Sequence, residues 1–191
     1  APPLQNIDEP MLLCASFSDH ELLTFGSFRA YEQASSHRKR LYTHRSGKWT
    51  EFYKPESLAL QKDFMDHFLK GVANRFDDLP PVRIEVRKER DTPSDVRWEK
   101  SVPRERTEYD TLFLFSDGSL SSAPQAAVGE MIHDGKAGQS VFEHVFAEPT
   151  ELTGYAKLKL WVEARPGPGQ ATPPDDMVLC CFLDKRDKIG K

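Results

Sequence analysis

The first part of the chain alternates between short apolar runs and segments with helical periodicity. The run Met11–Phe17 is almost entirely apolar, which is typical of a strand covered on both faces. Lys39–Thr43 predicts a second strand, and Ser27–Gln33 predicts a helix between the two. Pro55–Leu69 is the clearest helix, because apolar residues recur every three or four positions between Pro55 and a terminating Gly71. This order predicts part of an α/β sheet.

The period changes to two after a Pro-rich connector at Asp77–Pro81. Val82, Ile84 and Val86 alternate with charged residues, as in a strand with one buried face. Further β-prone runs follow, with Gly-, Pro- and Asp-rich turns at Ser116–Ser119, His133–Lys136 and Arg165–Asp176; the runs are Tyr109–Phe115, Ser140–Phe146, Tyr155–Val162 and Met177–Leu183. Regularly spaced short strands predict a β-sandwich. We therefore predict an α/β part at residues 1–79, followed by an all-β part at residues 80–191.

Two side chains with catalytic chemistry follow the first two predicted strands. Asp19 comes just after the first strand, and His44 closes the second. Sites in open α/β sheets form at the carboxyl ends of strands, so we expect these two residues to meet at one edge. They would then be the acid and base of a Ser-His-Asp triad. Alternatively, Asp19 is a helix cap or turn residue, and His44 is a strand-end residue bonded to the backbone. The sequence contains no Gly-x-Ser-x-Gly nucleophile elbow.

Composition narrows the range of partners. The 191 residues are 38% hydrophobic and 29% charged, and the formal net charge is −4, which gives no reason to expect a nucleic acid or a membrane as partner. No apolar stretch approaches the roughly 20 residues that span a bilayer. Neither the three cysteines nor Asp63, Asp66 and His67 offer a complete metal-ligand spacing, so we expect no metal and no cofactor. The chain begins without a signal peptide and suggests no disulfide framework, and we expect a cytoplasmic protein.

Several segments occur in a familiar order along the chain. They are Leu22–Tyr31, Arg40–Trp49, Glu51–Tyr53, Asp63–Gly71 and Pro80–Arg87, followed by Phe142–Val162 and Asp175–Asp184. In this order they resemble the cocaine esterase / X-Pro dipeptidyl-peptidase group of serine acyl hydrolases. The resemblance implies a partial α/β-hydrolase sheet joined to an incomplete jelly-roll β-sandwich.

The resemblance also implies roles for individual residues. It places Asp19 at the catalytic acid and His44 near the catalytic histidine of the group. The substrate would be a small-molecule ester, amide or X-Pro peptide, contacted by Trp49, Tyr53 and Phe25. Packing under the following helix is the alternative reading of Trp49 and Tyr53. The nucleophile would precede Ala1 and the jelly roll would continue past Lys191, as in an internal part of a larger hydrolase or a shortened descendant.

Three functions remain open at the level of sequence. The first is acyl hydrolysis, with the serine supplied by another segment or another chain. The second is a non-hydrolytic descendant that uses His44 and Asp19 for proton transfer, as an isomerase or cyclase. The third is a non-catalytic assembly module. An incomplete sheet would leave strand edges and apolar surface uncovered, so we expect a homodimer or a complex with a complementary fragment.

Overall fold

The computed structural model describes residues 3–18, 23–88, 92–103, 105–124 and 129–186. These residues form two compact units, and each has its own internal contacts. The first unit comprises Ala1–Tyr109 and Glu151–Tyr155, and the second comprises Asp110–Thr150 and Ala156–Lys191. In chain order the elements are a 3-10 turn at Leu4–Asn6, β1 (Met11–Ser16), α1 (Phe25–Gln33), β2 (Lys39–His44), α2 (Lys48–Phe52), α3 (Pro55–Lys70), β3 (Val82–Arg87), β4 (Pro93–Glu99), β5 (Phe113–Leu114) and β6 (Leu120–Ser121).

The first unit is built on a mixed four-stranded sheet in the order β1-β2-β3-β4. β1 and β2 are parallel and paired along their whole length, from Met11 beside Lys39 to Ser16 beside His44. β3 continues the parallel arrangement beside β2, and β4 is antiparallel to β3 with an irregularity at Val86 and Arg87. The predicted strands β1, β2 and β3 are therefore confirmed, and β4 is an additional strand.

Each face of this sheet carries its own apolar cluster. Alternate residues of a strand point to opposite faces, so Leu41 and Tyr42 separate the two clusters. Leu41 packs with Ala15, Val82 and Tyr31 of α1, and Tyr42 packs with residues of α3 and the segment after it, namely Leu60, Phe64, Phe68 and Phe76. Both faces of β2 are thus covered, as its buried central residues require. His44 lies on the same face as Tyr42, two residues further along the strand.

Helix α3 begins and ends where the sequence predicts. Pro55 occupies the first turn, where its missing N–H costs nothing. Gly71 ends the helix with φ of 67°, a left-handed conformation that glycine adopts without the steric cost of a Cβ. The resulting helix, Pro55–Lys70, lies directly after the short helix α2. Its N-terminal turn is therefore close to the carboxyl end of β2.

The second unit contains little regular structure among its described residues. β5 and β6, of two residues each, form an antiparallel hairpin around the predicted turn Ser116–Ser119. In this turn, Gly118 has φ of 86°, and Asp117 accepts a hydrogen bond from the Ser119 amide at 2.9 Å. The strands predicted at Ser140–Phe146, Tyr155–Val162 and Met177–Leu183 are wrong for the described residues, since no strand forms there. Strand-prone residues form a strand only when a neighbouring strand accepts and donates their hydrogen bonds. Only an isolated bridge from Glu143 to Ser119 is found among the described residues of these runs.

The chain thus has a mixed sheet with helices at its start and short antiparallel pairing later. The compact first unit extends past the predicted division at residue 79, because β3 and β4 add to the sheet begun by β1 and β2. The predicted boundaries 1–79 and 80–191 separate an α/β part from an all-β part, whereas the two units are separated by their internal contacts. The predicted boundaries therefore stay a prediction.

Candidate active site

The carboxyl ends of β1 and β2 lie side by side. Ser16 and His44, the last residues of the two strands, are paired in the sheet, and the Phe17 amide donates a hydrogen bond to the His44 carbonyl at 2.7 Å. The chain therefore leaves β1 at the level of His44. Asp19 lies outside the described residues, so the contact between Asp19 and His44 stays a prediction.

The segment that leads from β1 towards Asp19 is held by hydrogen bonds. The Ser16 and Ser18 hydroxyls are bonded to each other at 2.7 Å, and the Thr24 hydroxyl donates to the Ser16 carbonyl. From the other strand, the Arg45 guanidinium donates to the Phe17 carbonyl at 2.9 Å. The exit of β1 is thus fixed both by the start of α1 and by the exit of β2.

His44 is almost completely buried, with 1% of its surface exposed. Its Nδ1 lies 3.0 Å from the Ser46 carbonyl oxygen. A carbonyl can only accept, so this hydrogen bond requires the proton on Nδ1 and leaves the lone pair on Nε2. Burial lowers the pKa of His44 below its ordinary value, against a smaller opposing effect of the Glu51 carboxylate. The imidazole is therefore neutral at pH 7, the state in which a histidine can accept a proton.

Glu51 is a charged residue that sequence reasoning does not single out, yet it is 4% exposed. Its Oε2 accepts hydrogen bonds from the Ser46 hydroxyl and the Lys54 ammonium, both at 2.6 Å, and its Oε1 accepts from the Ser57 hydroxyl at 3.2 Å. Burial raises the pKa of Glu51, but the hydrogen bonds from Lys54 and Ser46 and the charge of Lys54 outweigh it, so the pKa lies below its ordinary value. Glu51 is therefore an ionised carboxylate beside a neutral histidine.

The predicted substrate-binding residues lie on elements that start at the same edge of the sheet. Phe25 begins α1, while Trp49 lies in α2 and Tyr53 directly follows it. All three side chains are exposed, Trp49 by 68%. Tyr53 contacts Phe52 edge to face, with 5.0 Å between ring centroids. These aromatic side chains are accessible at the surface, and their contact with a substrate stays a prediction.

A cavity of about 200 Å³ lies on the α3 face of the sheet, next to the network around His44. Its lining includes Tyr42, Glu51, Ser57, Leu60, Arg83 and Trp98. A larger cavity, of about 540 Å³, is bordered by Tyr31, His37 and Lys39 near the amino end of β2, away from His44. The smaller cavity is therefore the one that adjoins the candidate chemistry.

The charged residues of α3 form ion pairs on the helix surface. Asp63 pairs with Arg75 at 2.6 Å, and Asp66 pairs with both Lys62 and Lys70. Among residues the structure describes, no group of His, Cys, Asp or Glu side chains is arranged to hold a metal ion. Within the same residues, no helix has the length and apolar character needed to cross a membrane.

The parallel strands β1 to β3, with α1 on one face and α3 on the other, define an α/β unit that has a buried histidine at the carboxyl edge of its sheet. The sequence pattern of the X-Pro dipeptidyl-peptidase C-terminal non-catalytic domain matches residues 74–178, more than half of the chain. The chain belongs to this family, which confirms the resemblance to the cocaine esterase / X-Pro dipeptidyl-peptidase group.

Two solved structures of a CocE/NonD family hydrolase from Staphylococcus aureus are similar to this chain. Each is 36% identical, with a TM-score of 0.60, and the match covers 63% of this chain and 22% of the hydrolase. The matched part of the chain thus spans about a fifth of the length of that hydrolase. No curated protein matches the sequence.

Proposed function

We propose that this chain supplies the base and the acid of a serine acyl hydrolase that acts on ester or X-Pro peptide bonds. The observation that carries the proposal is the placement of His44, which is buried at the carboxyl end of a central parallel strand with its Nδ1 3.0 Å from the Ser46 carbonyl oxygen. The family match at residues 74–178 and the likeness to a CocE/NonD family hydrolase support a hydrolase-related origin of the chain. Residues 80–191 would belong to an incomplete jelly-roll β-sandwich, of which the described residues of the second unit form only the hairpin β5–β6.

The proposed chemistry uses the lone pair of His44. Nε2 accepts the proton of a serine hydroxyl as the oxygen attacks the acyl carbon, and the resulting imidazolium returns the proton to the leaving group. Asp19 stabilises the imidazolium, and Trp49, Tyr53 and Phe25 contact the acyl or leaving group. The serine comes from another segment or another chain, because this sequence has no nucleophile elbow.

A fluorophosphonate probe, which reacts covalently with activated serines, tests this proposal. The chain is purified together with any protein that remains bound to it, and the probe is added to wild type, His44→Ala and His37→Ala. His37 is an exposed histidine before the amino end of β2 and is the matched control. We expect a labelled serine in the chain or in its partner, lost in His44→Ala and kept in His37→Ala. Absence of labelling from both proteins would refute the hydrolase proposal.

The surface of the second unit favours an additional role in assembly. Large apolar side chains that the sequence predicts to be inside strands are exposed there, among them Trp161 at 84%, Val145, Val178 and Phe182. Exposed apolar surface of this kind marks sites of association in soluble proteins. In the first unit, β1 and β4 are the edges of the described sheet, and open edges can pair with another chain. We propose that the chain associates with a second copy or with a complementary chain.

Sedimentation velocity measures this association directly. We expect a dimer or a complex, weakened by Trp161→Glu in the second unit. The same substitution at Trp49, an exposed tryptophan of the first unit, is the control and should leave association unchanged. A monodisperse monomer over a wide concentration range would contradict the assembly proposal.

A further inference from the structure

Two hydrogen bonds that share Ser46 connect His44 to the buried carboxylate of Glu51. His44 Nδ1 donates to the Ser46 carbonyl at 3.0 Å, and the Ser46 hydroxyl donates to Glu51 Oε2 at 2.6 Å. Ser46 therefore uses its backbone for the histidine and its side chain for the glutamate. The residue whose carbonyl accepts the hydrogen bond from the imidazole is itself bonded to a carboxylate.

The glutamate end of this link is fixed from two further directions. Lys54 donates to Glu51 Oε2 at 2.6 Å and to the Ser46 hydroxyl at 3.1 Å, and Ser57 at the start of α3 donates to Glu51 Oε1. The Ser46 hydroxyl thus accepts from Lys54 while it donates to Glu51. These bonds restrict the Ser46 hydroxyl, which belongs to the same residue as the carbonyl beside His44 Nδ1.

A buried carboxylate is costly unless charge and hydrogen bonds compensate for lost water. At the surface, Glu51 would keep its water and would need no such compensation. The preceding residues of the first turn of α2 are exposed, so the surface is close by. The side chain of Glu51 is instead buried, and its carboxylate accepts hydrogen bonds from Ser46, Lys54 and Ser57. Simple attachment of α2 to α3 would need only the bonds to Lys54 and Ser57. The bond to Ser46 is the one that reaches the histidine.

We propose that Glu51 is a positioning residue for His44: by holding the Ser46 hydroxyl, it positions the carbonyl that accepts the hydrogen bond from Nδ1–H and so keeps the basic lone pair on Nε2. The inference rests on the proposed function only in treating that lone pair as the base. Glu51 does not contact the reacting atoms in this scheme. Its negative charge also favours the imidazolium that forms when Nε2 accepts a proton.

We call the hydrogen-bonded link from Glu51 through Ser46 to His44 the relay. Nuclear magnetic resonance of the uniformly ¹⁵N-labelled chain tests the relay without any substrate. Long-range ¹H–¹⁵N correlation of the imidazole distinguishes the two neutral tautomers, and a pH titration gives the pKa of His44. In the wild type we expect the Nδ1–H tautomer. Ser46→Ala removes the hydroxyl but keeps the carbonyl, and we expect it to lower the preference for Nδ1–H by about fivefold, the size of one net hydrogen bond.

Glu51→Gln keeps an acceptor for Ser46 but removes the negative charge, so we expect the tautomer to remain and the pKa of His44 to fall further. The other charges that act on His44 are Glu85 and Lys54, and both are unchanged in these variants. Glu56→Gln, which borders the same cavity as Glu51, is the matched control and should alter neither property. Circular dichroism establishes that each variant is folded.

The relay is wrong if Ser46→Ala leaves the tautomer ratio at its wild-type value, even if Glu51→Gln does not fold. It is also wrong if Glu56→Gln changes the pKa of His44 as much as Glu51→Gln does. A purely structural Glu51 would lower the stability of its variants without moving the tautomer in Ser46→Ala. Failure of the fluorophosphonate labelling would refute the hydrolase role and leave these measurements, and the relay, intact.

Discussion

Replacement of Lys54 by methionine measures how much the buried carboxylate of Glu51 depends on its ion pair. Lys54 Nζ lies 2.6 Å from Glu51 Oε2, and the carboxylate side chain is only 6% exposed. Methionine keeps the aliphatic stem and removes the charge. Loss of a hydrogen bond to a charged group costs about 1.5–3 kcal/mol. The Lys54 side chain is 41% exposed, so water screens part of this interaction, and we expect a loss of about 1–2 kcal/mol at pH 7.

The loss depends on pH in a defined direction. The pKa of Glu51 is depressed in the folded protein, so its stabilising contribution is complete above the ordinary carboxyl pKa of about 4.3 and disappears as pH falls through the folded value. Without Lys54 the pKa of Glu51 rises, because the effect of burial remains while the hydrogen bond and the charge of Lys54, which lower the pKa, are lost. The difference between variant and wild type should therefore shrink as the pH is lowered from 7 towards the acidic range.

Urea unfolding followed by helical circular dichroism is a suitable assay, because the described helices α1 to α3 all lie in the first unit. Lys62→Met is the control: Lys62 lies on α3 and, like Lys54, is paired with a carboxylate, but its partner Asp66 keeps a second partner, Lys70. We expect a clearly smaller effect for the control. An equal loss at neutral and acidic pH, or an equal loss in the two variants, would refute the account of Glu51 as a buried, ion-paired carboxylate.

Two further substitutions test the packing and the backbone of the first unit by the same unfolding assay. Leu41→Ala empties a fully buried position of the central strand and should cost about 2–5 kcal/mol, whereas Leu69→Ala at an exposed position of α3 should change stability by less than about 0.5 kcal/mol. Gly71→Ala forces a Cβ into the left-handed region and should cost about 1 kcal/mol, whereas Gly26→Ala in the open surface of α1 should stabilise by about 0.5–1 kcal/mol. Equal effects of the two leucine variants would contradict the burial of Leu41, and equal effects of the two glycine variants would contradict the left-handed conformation of Gly71.

The sequence predicts those elements whose boundaries carry their own chemical signal. Pro55 and Gly71 mark the two ends of α3 independently of anything the helix packs against. The apolar run of β1 and the alternation in β3 are equally local properties. Because these signals depend on neighbours within a few residues, no knowledge of tertiary contacts is needed to find them.

Elements that depend on distant partners are harder to predict. β4 consists mostly of exposed or half-buried polar residues, and its pairing with β3 alone makes it a strand. Conversely, Tyr155–Val162 and Met177–Leu183 have strand-forming residues, yet no strand forms in them among the described residues. Intrinsic β preference is weak compared with the effect of a neighbouring strand, so composition alone misplaces both kinds of segment.

The candidate site shows the same division. The position of His44 at the end of β2 follows from the strand pattern, whereas the burial of Glu51 does not. A glutamate three residues before a lysine indicates only an ordinary helical pair on a solvated surface. The available signal was the serine five residues earlier, at the strand exit, but a lone Ser-Glu spacing occurs too often to identify a network. Only the turn of the chain at Gly47 brings Ser46 and Glu51 together.

The hydrogen bonds that lead from the Nδ1 proton of His44 to Glu51 and its donors belong to one continuous stretch, residues 44–57. Asp19 belongs to a different connection, so the tautomer of His44 should survive Asp19→Asn, while any hydrolysis that needs a carboxylate beside the imidazolium is lost. The imidazole correlation spectrum of Asp19→Asn decides the point. A change in tautomer as large as that in Ser46→Ala would assign the Nδ1 proton to Asp19 and remove Glu51 from the mechanism.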